Sequence, residues 1–338
     1  MFPDLDRLNL LLSLSRYAEG EKAAREAIGE NPEWGAGYGF LALFLSNQGH
    51  HLPAVRAARD CVAKEPHDPW AHAVRATVLR RLGRNDEALA AADEAIRLDH
   101  TYAYAYHVRC DVLCAEQRYR EARVTAIDGL QHHPTDEGLL QRKGWAEQMT
   151  GRLDAAIWTA EAALKLHPDS PSLRNVVGCA RMDMADGGWL AARIHNYRQA
   201  DAMFREAIRL RPGESAYQDN RRLNALRCRQ FVVKAVLPGL MLVSALLVAA
   251  PGVVAARGGG VVCCFAMVGL FAYIPGLSHL NAGEPWFFLS APVKWLGLPT
   301  VPLPSDEARK GRWAWRGVIG VLVAMPAVAW ALVLASRI

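Results

Sequence analysis

The chain has 338 residues, 51% of them hydrophobic, with 39 Lys and Arg against 34 Asp and Glu, for a formal net charge of +5. The length allows two or three domains and a sizeable core. The charge is unevenly placed: residues 1–230 carry 31 of each sign, and eight Lys/Arg against three acids after Gln230 account for the whole excess. A neutral, well-mixed front part offers nucleic acid no basic face, whereas a basic bias inside an apolar tail is a sign of membrane topology.

The opening "MFPDLDRLNLLLSLSRY" has acids where a signal peptide carries its basic region, and its apolar run is interrupted,. Seven cysteines, an odd number in a large chain, do not form a secreted disulfide framework,. The front part is therefore expected in the cytosol with reduced thiols. Arg outnumbers Lys 32 to 7, a composition in keeping with a bacterial source.

From about Leu5 to Tyr217 the sequence repeats itself. The segments "AIGENP", "CVAKEP", "AIRLDH", "GLQHHP" and "ALKLHP" close at residues 32, 66, 100, 134 and 168, a fixed spacing of 34. A sixth, "AIRLRP", closes at 212, so that unit carries ten extra residues around "MADGGWLAARIHNY" (184–197). Twelve residues before each close stands a small residue: Gly20, Ala54, Ala88, Ala122, Ala156 and Ala200. Eight before it come Ala24, Ala58, Ala92, Ala126, Ala160 and then Phe204. Five before it come Ala27, Cys61, Ala95, Gly129, Ala163 and Ala207. Ala42, Ala76, Cys110, Gly144 and Gly178 form an earlier small slot, and Gly49, Gly83 and Gly151 mark turns within units. Residues three or four apart share a helix face, so these slots predict pairs of helices pressed closely together. Ala91 falls outside the shared slots. His100 stands where four sister units have Pro, which predicts a more continuous junction there.

This 34-residue pattern resembles the tetratricopeptide repeat (TPR). The resemblance implies an all-α fold: a right-handed TPR α-solenoid of about six helix–turn–helix units, ahead of the apolar tail. One unit cannot bury its apolar side alone, and stacked units bury a continuous core and leave a concave groove. The resemblance further implies that the first helix of each unit lines that groove and that its ligands are extended peptides or helices of partner proteins. Carried over residue by residue, it puts Trp70, Ala73, Thr77 and Arg80 on the groove face. Tyr104, His107, Asp111 and Cys114 follow in the next unit, then Gly138, Gln141, Trp145 and Gln148, then Ser172, Asn175 and Cys179. Trp and Tyr are enriched at interface hot spots, which singles out Trp70, Tyr104 and Trp145. The same aromatics would serve equally to pack one unit on the next. The Lys and Asn pattern of chaperone-binding versions of the repeat is absent; Arg142 and Asn175 alone do not make it. Trp189, in the enlarged unit, would either meet a partner or lie in an insertion that only lengthens helices.

After Phe231 come three stretches free of charge: 235–256, 258–277 and 317–336. About 20 apolar residues cross a hydrocarbon core of roughly 30 Å, so all three are expected to be transmembrane helices. A membrane domain at 231–338 would then follow a cytosolic domain at 1–230. Ten Lys/Arg flank the spans on one side and two on the other. This asymmetry predicts a cytoplasmic repeat domain and an outside C-terminus, in a multi-pass protein of the bacterial inner membrane. The segment 284–297, with Trp286, Phe287, Phe288 and Trp295, is expected to lie along the interface.

Chemistry is scarce in the sequence. No phosphate-binding loop, nucleophile elbow, zinc-protease helix or dinucleotide fingerprint appears, so neither an enzyme nor a cofactor is expected. His107, Cys110 and Cys114 share one helical face, but Cys110 occupies a packing slot, which argues for core over metal. His132, His133 and His167 read as exposed junction residues. The expectation is a scaffold that gathers protein partners at a lipid bilayer. The alternative is an accessory subunit of a transporter, secretion or envelope-biogenesis complex, in which the spans associate with another membrane subunit.

Overall fold

The computed structural model describes residues 3–231, and every regular element among them is an α-helix. The chain divides into two compact units, Met1–Ala180 and Arg181–Ile338. In the first, helices pair as α1 (Pro3–Ser13) with α2 (Tyr17–Glu30), α3 (Gly35–Asn47) with α4 (His51–Lys64), and α5 (Pro69–Arg81) with α6 (Asn85–Leu98). Then come α7 (Ala103–Ala115) with α8 (Tyr119–His132) and α9 (Glu137–Met149) with α10 (Leu153–Leu166); α11 (Pro171–Ala185) begins in this unit and ends in the second. The result is a TPR-like stack of helical hairpins. Among the described residues of the second unit, α12 (Leu190–Leu210) and α13 (Ser215–Phe231) form a further hairpin. The expected spans and the interfacial segment lie outside the described residues. Among those that are described, no helix is long and apolar enough to cross a membrane.

The small slots are where the helices meet. Ala54, Ala88, Ala122, Ala156 and Ala200 are fully buried, as are Ala24, Ala92, Ala126, Ala160 and Phe204. Ala91 does belong to a shared slot, contrary to expectation. It is buried together with Ala23, Ala57, Thr125 and Thr159, each 34 residues from the next. The slot escapes notice in sequence because its last two members are threonine, not alanine.

The turn inside each unit is also periodic. Ser15, Gly49, Gly83, Gln117 and Gly151 all have φ between +56° and +83°, at 34-residue intervals. The next N–H reaches back to a carbonyl one turn inside the helix: Arg16 to Leu11, His50 to Leu45, Arg84 to Leu79, Arg118 to Leu113 and Arg152 to Glu147, all 2.9–3.0 Å. This is the Schellman arrangement, which closes a helix through a left-handed residue. Three of the five are Gly, as its missing Cβ favours, while Ser15 and Gln117 hold the same conformation without it.

The junction at His100 is no more continuous than its neighbours: α6 ends at Leu98, and α7 starts only at Ala103. The break keeps the backbone turn of its neighbours without proline, Tyr102 N–H donating to Asp99 O at 3.1 Å as Asp136 N–H does to His133 O, and side chains add to it. Asp99 accepts from the N–H and hydroxyl of Thr101 at 2.8 and 2.7 Å, and Tyr106 donates to His100 O at 2.9 Å. One unit earlier, His72 donates to Pro66 O at 2.9 Å across the same interval. His133 and His167, expected merely at exposed junctions, bridge consecutive units: His133 Nε2 donates to Thr101 O, and His167 Nε2 to Thr135 O at 2.7 Å.

Candidate functional site

Within the first unit, the first helices touch one another (α3 with α5, α5 with α7, α7 with α9) as well as their own partners. They form the inner row of the stack, so their free faces make its inner surface. On α5, Thr77 donates its hydroxyl to Ala73 O at 2.9 Å. Its single proton being used, it accepts from the Tyr104 hydroxyl of α7 at 3.1 Å. Burial raises the Tyr104 phenol further above its usual range, and it stays neutral and a donor.

One turn along α7, His107 Nε2 lies 2.7 Å from Asp136 Oδ1. The same carboxylate oxygen caps α9 by accepting Leu139 N–H at 2.7 Å, so a side chain of one unit is fastened to the helix start of the next. Burial and the nearby Arg142 charge hold the His107 ring below its ordinary value. The neutral ring therefore carries its proton on Nε2, facing Asp136. Burial alone would raise Asp136, but the Leu139 N–H and the His107 ring outweigh it and keep the carboxyl low. A further turn along, Asp111 takes a two-pronged grip on Arg142, 2.8 Å to each of Nε and Nη2. Arg142 also donates to Gly138 O at 3.1 Å.

Of the residues singled out from sequence, Thr77, Tyr104, His107 and Asp111 are thus brought together as a polar line across α5, α7 and α9. Gln141 and Trp145 continue it on α9, one turn apart on one face. Gln141 is half-buried, and its side-chain amide makes no hydrogen bond among the described residues. Trp145 is 38% exposed and rests edge-on against Tyr119, with ring centroids 5.8 Å apart. Asn175 lies on α11, its Oδ1 4.0 Å from Cys179 Sγ. Trp70 is placed differently. Its ring packs at 5.2 Å from Phe40, between the second and third units, and covers Gly39. Ala73 and Cys114 are buried and face no groove. His107 and Cys110 diverge in spite of their shared helix stripe, since the Cys110 thiol lies 3.4 Å from Ala122 O in the core. Burial pushes both Cys110 and Cys114 up to about 12, which leaves them as inert thiols,.

Sequence reasoning missed Asp136, and weighed Arg142 only against the chaperone-binding pattern. Their signal was present but faint. Asp136 precedes α9 as an N-cap residue should, and Arg142 follows Asp111 by 31 residues, one turn short of a repeat. On the side of the second helices, a separate cleft of about 530 Å³ is lined by Ile96, Tyr106, Val124 and a mixture of charges. Its Arg109 is already engaged by Asp93 at 2.6 Å and by Thr125.

No family model matches the chain, and no curated protein resembles it by sequence. Among solved structures, a thermophilic TPR protein of Thermus thermophilus shares 23% identity with a TM-score of 0.48, over 52% of this chain and 96% of its own. A tetratricopeptide repeat protein from Parabacteroides merdae shares 13%, with a TM-score of 0.43, over 65% and 97%. YrrB, a TPR protein with an unusual peptide-binding site, shares 18%, with a TM-score of 0.40, over 60% and 99%. These likenesses concern the helical-repeat fold; the placement of the inner-face residues rests on this chain's own 34-residue register.

Proposed function

We propose that this chain is a membrane-tethered scaffold whose inner helical face holds a segment of a protein partner, in the cytoplasm of a bacterium. The observation that carries the reading is the line Thr77–Tyr104, His107–Asp136 and Asp111–Arg142, continued by Gln141 and Trp145. The first three pairs are locked to each other across units. They therefore present their remaining hydrogen-bonding capacity and apolar edges on a rigid frame, which keeps the ordering cost of binding low. Trp145, an exposed aromatic beside an uncommitted amide, supplies the kind of anchor that dominates interfaces. The tail's three charge-free stretches, each about the length of a bilayer core, support the tether. Tethering raises the local concentration of a partner without tight single-site affinity.

The test is a photo-crosslinker placed at Gln141 in the full chain in its native membrane, compared with one at exposed Arg120 on a second helix. Adducts are expected from position 141 and not from 120, and Trp145→Ala should diminish them. Identical adducts from both positions, unaffected by Trp145→Ala, would refute an inner-face site. Trp70 and Tyr104 are unsuitable for this purpose, since both pack between units. The tether is tested separately: the chain should stay with membranes after alkaline carbonate, and its release would remove that half of the reading.

A further inference from the structure

The enlarged sixth unit is spent on length. α12 has 21 residues where α2, α4, α6, α8 and α10 have 14. It runs antiparallel to α13, and the cross-links between them fix which ends coincide. Arg221 Nε reaches Asp201 at 2.8 Å, and Asn224 Nδ2 donates to Tyr197 O at 3.1 Å. Tyr197 packs on Phe231 at 6.1 Å, and the Arg193 guanidinium sits 4.2 Å over the same ring. The start of α12 thus lies at the end of α13. Antiparallel register from these cross-links sets Phe231 opposite about Leu190, so Trp189 stands at the same level, at this tip of the hairpin.

Two bulky apolar side chains stand free at this tip: Trp189 is 90% exposed and Leu190 54%. Gly187 and Gly188 precede them. Trp189 caps α12 in an extended conformation, with no side-chain cap hydrogen bond. The acids of this end are occupied: Arg227 pairs with Asp183 at 2.7 Å and with Asp186 at 3.1 Å, and Asp186 also accepts the Tyr197 hydroxyl at 2.8 Å. Only three residues, Val232, Val233 and Lys234, separate Phe231 from the first 22-residue charge-free stretch.

We infer that Trp189 and Leu190 form a second membrane contact, seated in the headgroup boundary beside the point where the tail enters the bilayer. The inference rests on the tail being membrane-embedded, as proposed above. If the chain enters the bilayer just past Phe231, exposed side chains at the level of Phe231, at the same end of the hairpin, meet the interface. Tryptophan is among the side chains most enriched there, and Arg193, one turn along α12, is the cation that accompanies it. An extended helix that reaches the membrane a second time gives the hairpin two points of support, which restrains its tilt. This accounts for an extension that leaves Trp189 uncovered by the protein.

The test uses the full chain reconstituted in phosphatidylcholine vesicles, plain or brominated at a shallow or a deep acyl position. Emission of the Trp189→Phe variant, subtracted from that of the unaltered chain, isolates Trp189. The expected result is quenching of that share, stronger by the shallow than by the deep bromine. A second probe, Gly213→Trp in the Trp189→Phe background, sits at the other end of α12. There a Cβ meets nothing within 4 Å, and 21 residues of helix put it about 30 Å away; it should stay unquenched. If the Trp189 share is unquenched while the chain resists carbonate extraction, the second contact is wrong and the tether stands. If Gly213→Trp is quenched as strongly, contact is not specific to the tip and the inference also falls. If carbonate releases the chain, the tether itself fails and takes this inference with it.

Discussion

Glu147 is 4% exposed and occupies a position that is Leu45, Leu79 and Leu113 in the three preceding units, all buried. Its Oε2 accepts the Thr159 hydroxyl at 2.8 Å, and Lys143 Nζ stands 3.9 Å from Oε1. Thr159→Val removes the one close donor and leaves a buried carboxyl short of a partner, at a cost of about 1–3 kcal/mol. Glu147→Leu restores the residue that the slot accepts elsewhere. The freed Thr159 hydroxyl can turn to the carbonyl one helical turn back, and apolar replacement of a buried charged group is often neutral or stabilising. Glu147→Leu should therefore match or exceed the unaltered chain. The assay is hydrogen exchange of α9 and α10 amides in the full chain, with α3 and α4 as internal reference, because each repeat feels only its neighbours. Thr159→Val should accelerate exchange by about ten- to a hundredfold, at roughly 1.4 kcal/mol per tenfold. Glu147→Leu should not accelerate it. If Glu147→Leu opens α9 and α10 more than Thr159→Val does, the leucine slot is not equivalent across units and the reasoning fails.

Two further outcomes are expected. A Cβ at Gly20 would lie 2.2 Å from the buried Phe44 ring, whereas one at Gly29 of the same helix meets nothing within 4 Å. Gly20→Ala should then destabilise α2 and α3 by about 1–3 kcal/mol through overpacking, while Gly29→Ala stabilises by roughly 0.5–1 kcal/mol; thermal unfolding that ranks them the other way would contradict the packing. The His107 ring has a folded-state pKa below its ordinary value of 6.5, so the unfolded chain takes up the proton first as pH falls. The stability contributed by the neutral ring is whole above about pH 6.5 and declines as pH drops toward the folded value. Exchange at the first turn of α9, corrected for its intrinsic pH dependence, should quicken over that window and become flat in His107→Gln.

Much of the fold was legible because its determinants are steric and recur. Where helices press together every 34 residues, only small side chains fit, and Ala88, Ala92 and Ala95 announce the contact before any coordinates do. The polar features were less visible, because each needs a partner about one repeat away whose direction the spacing does not specify. Asp111 meets Arg142, His107 meets Asp136 and His167 meets Thr135 across 29–32 residues. Each pair has many equivalents in sequence that do not meet.

Trp70 and Trp145 show where the division lies. Both stand on first helices at positions that the repeat assigns to its inner face, and nothing in the local sequence separates them. Sequence determined the period, the helical pairs and the small contact slots, since steric exclusion at a helix crossing constrains one position at a time. Tertiary structure alone decided exposure. Gly39 leaves a hollow that the Trp70 ring fills, so close that a Cβ there would sit 2.4 Å from it. Trp145 finds only the edge of Tyr119 and remains open. Exposure depends on what a neighbouring unit places opposite a side chain, and that is a property of the stacked repeats together.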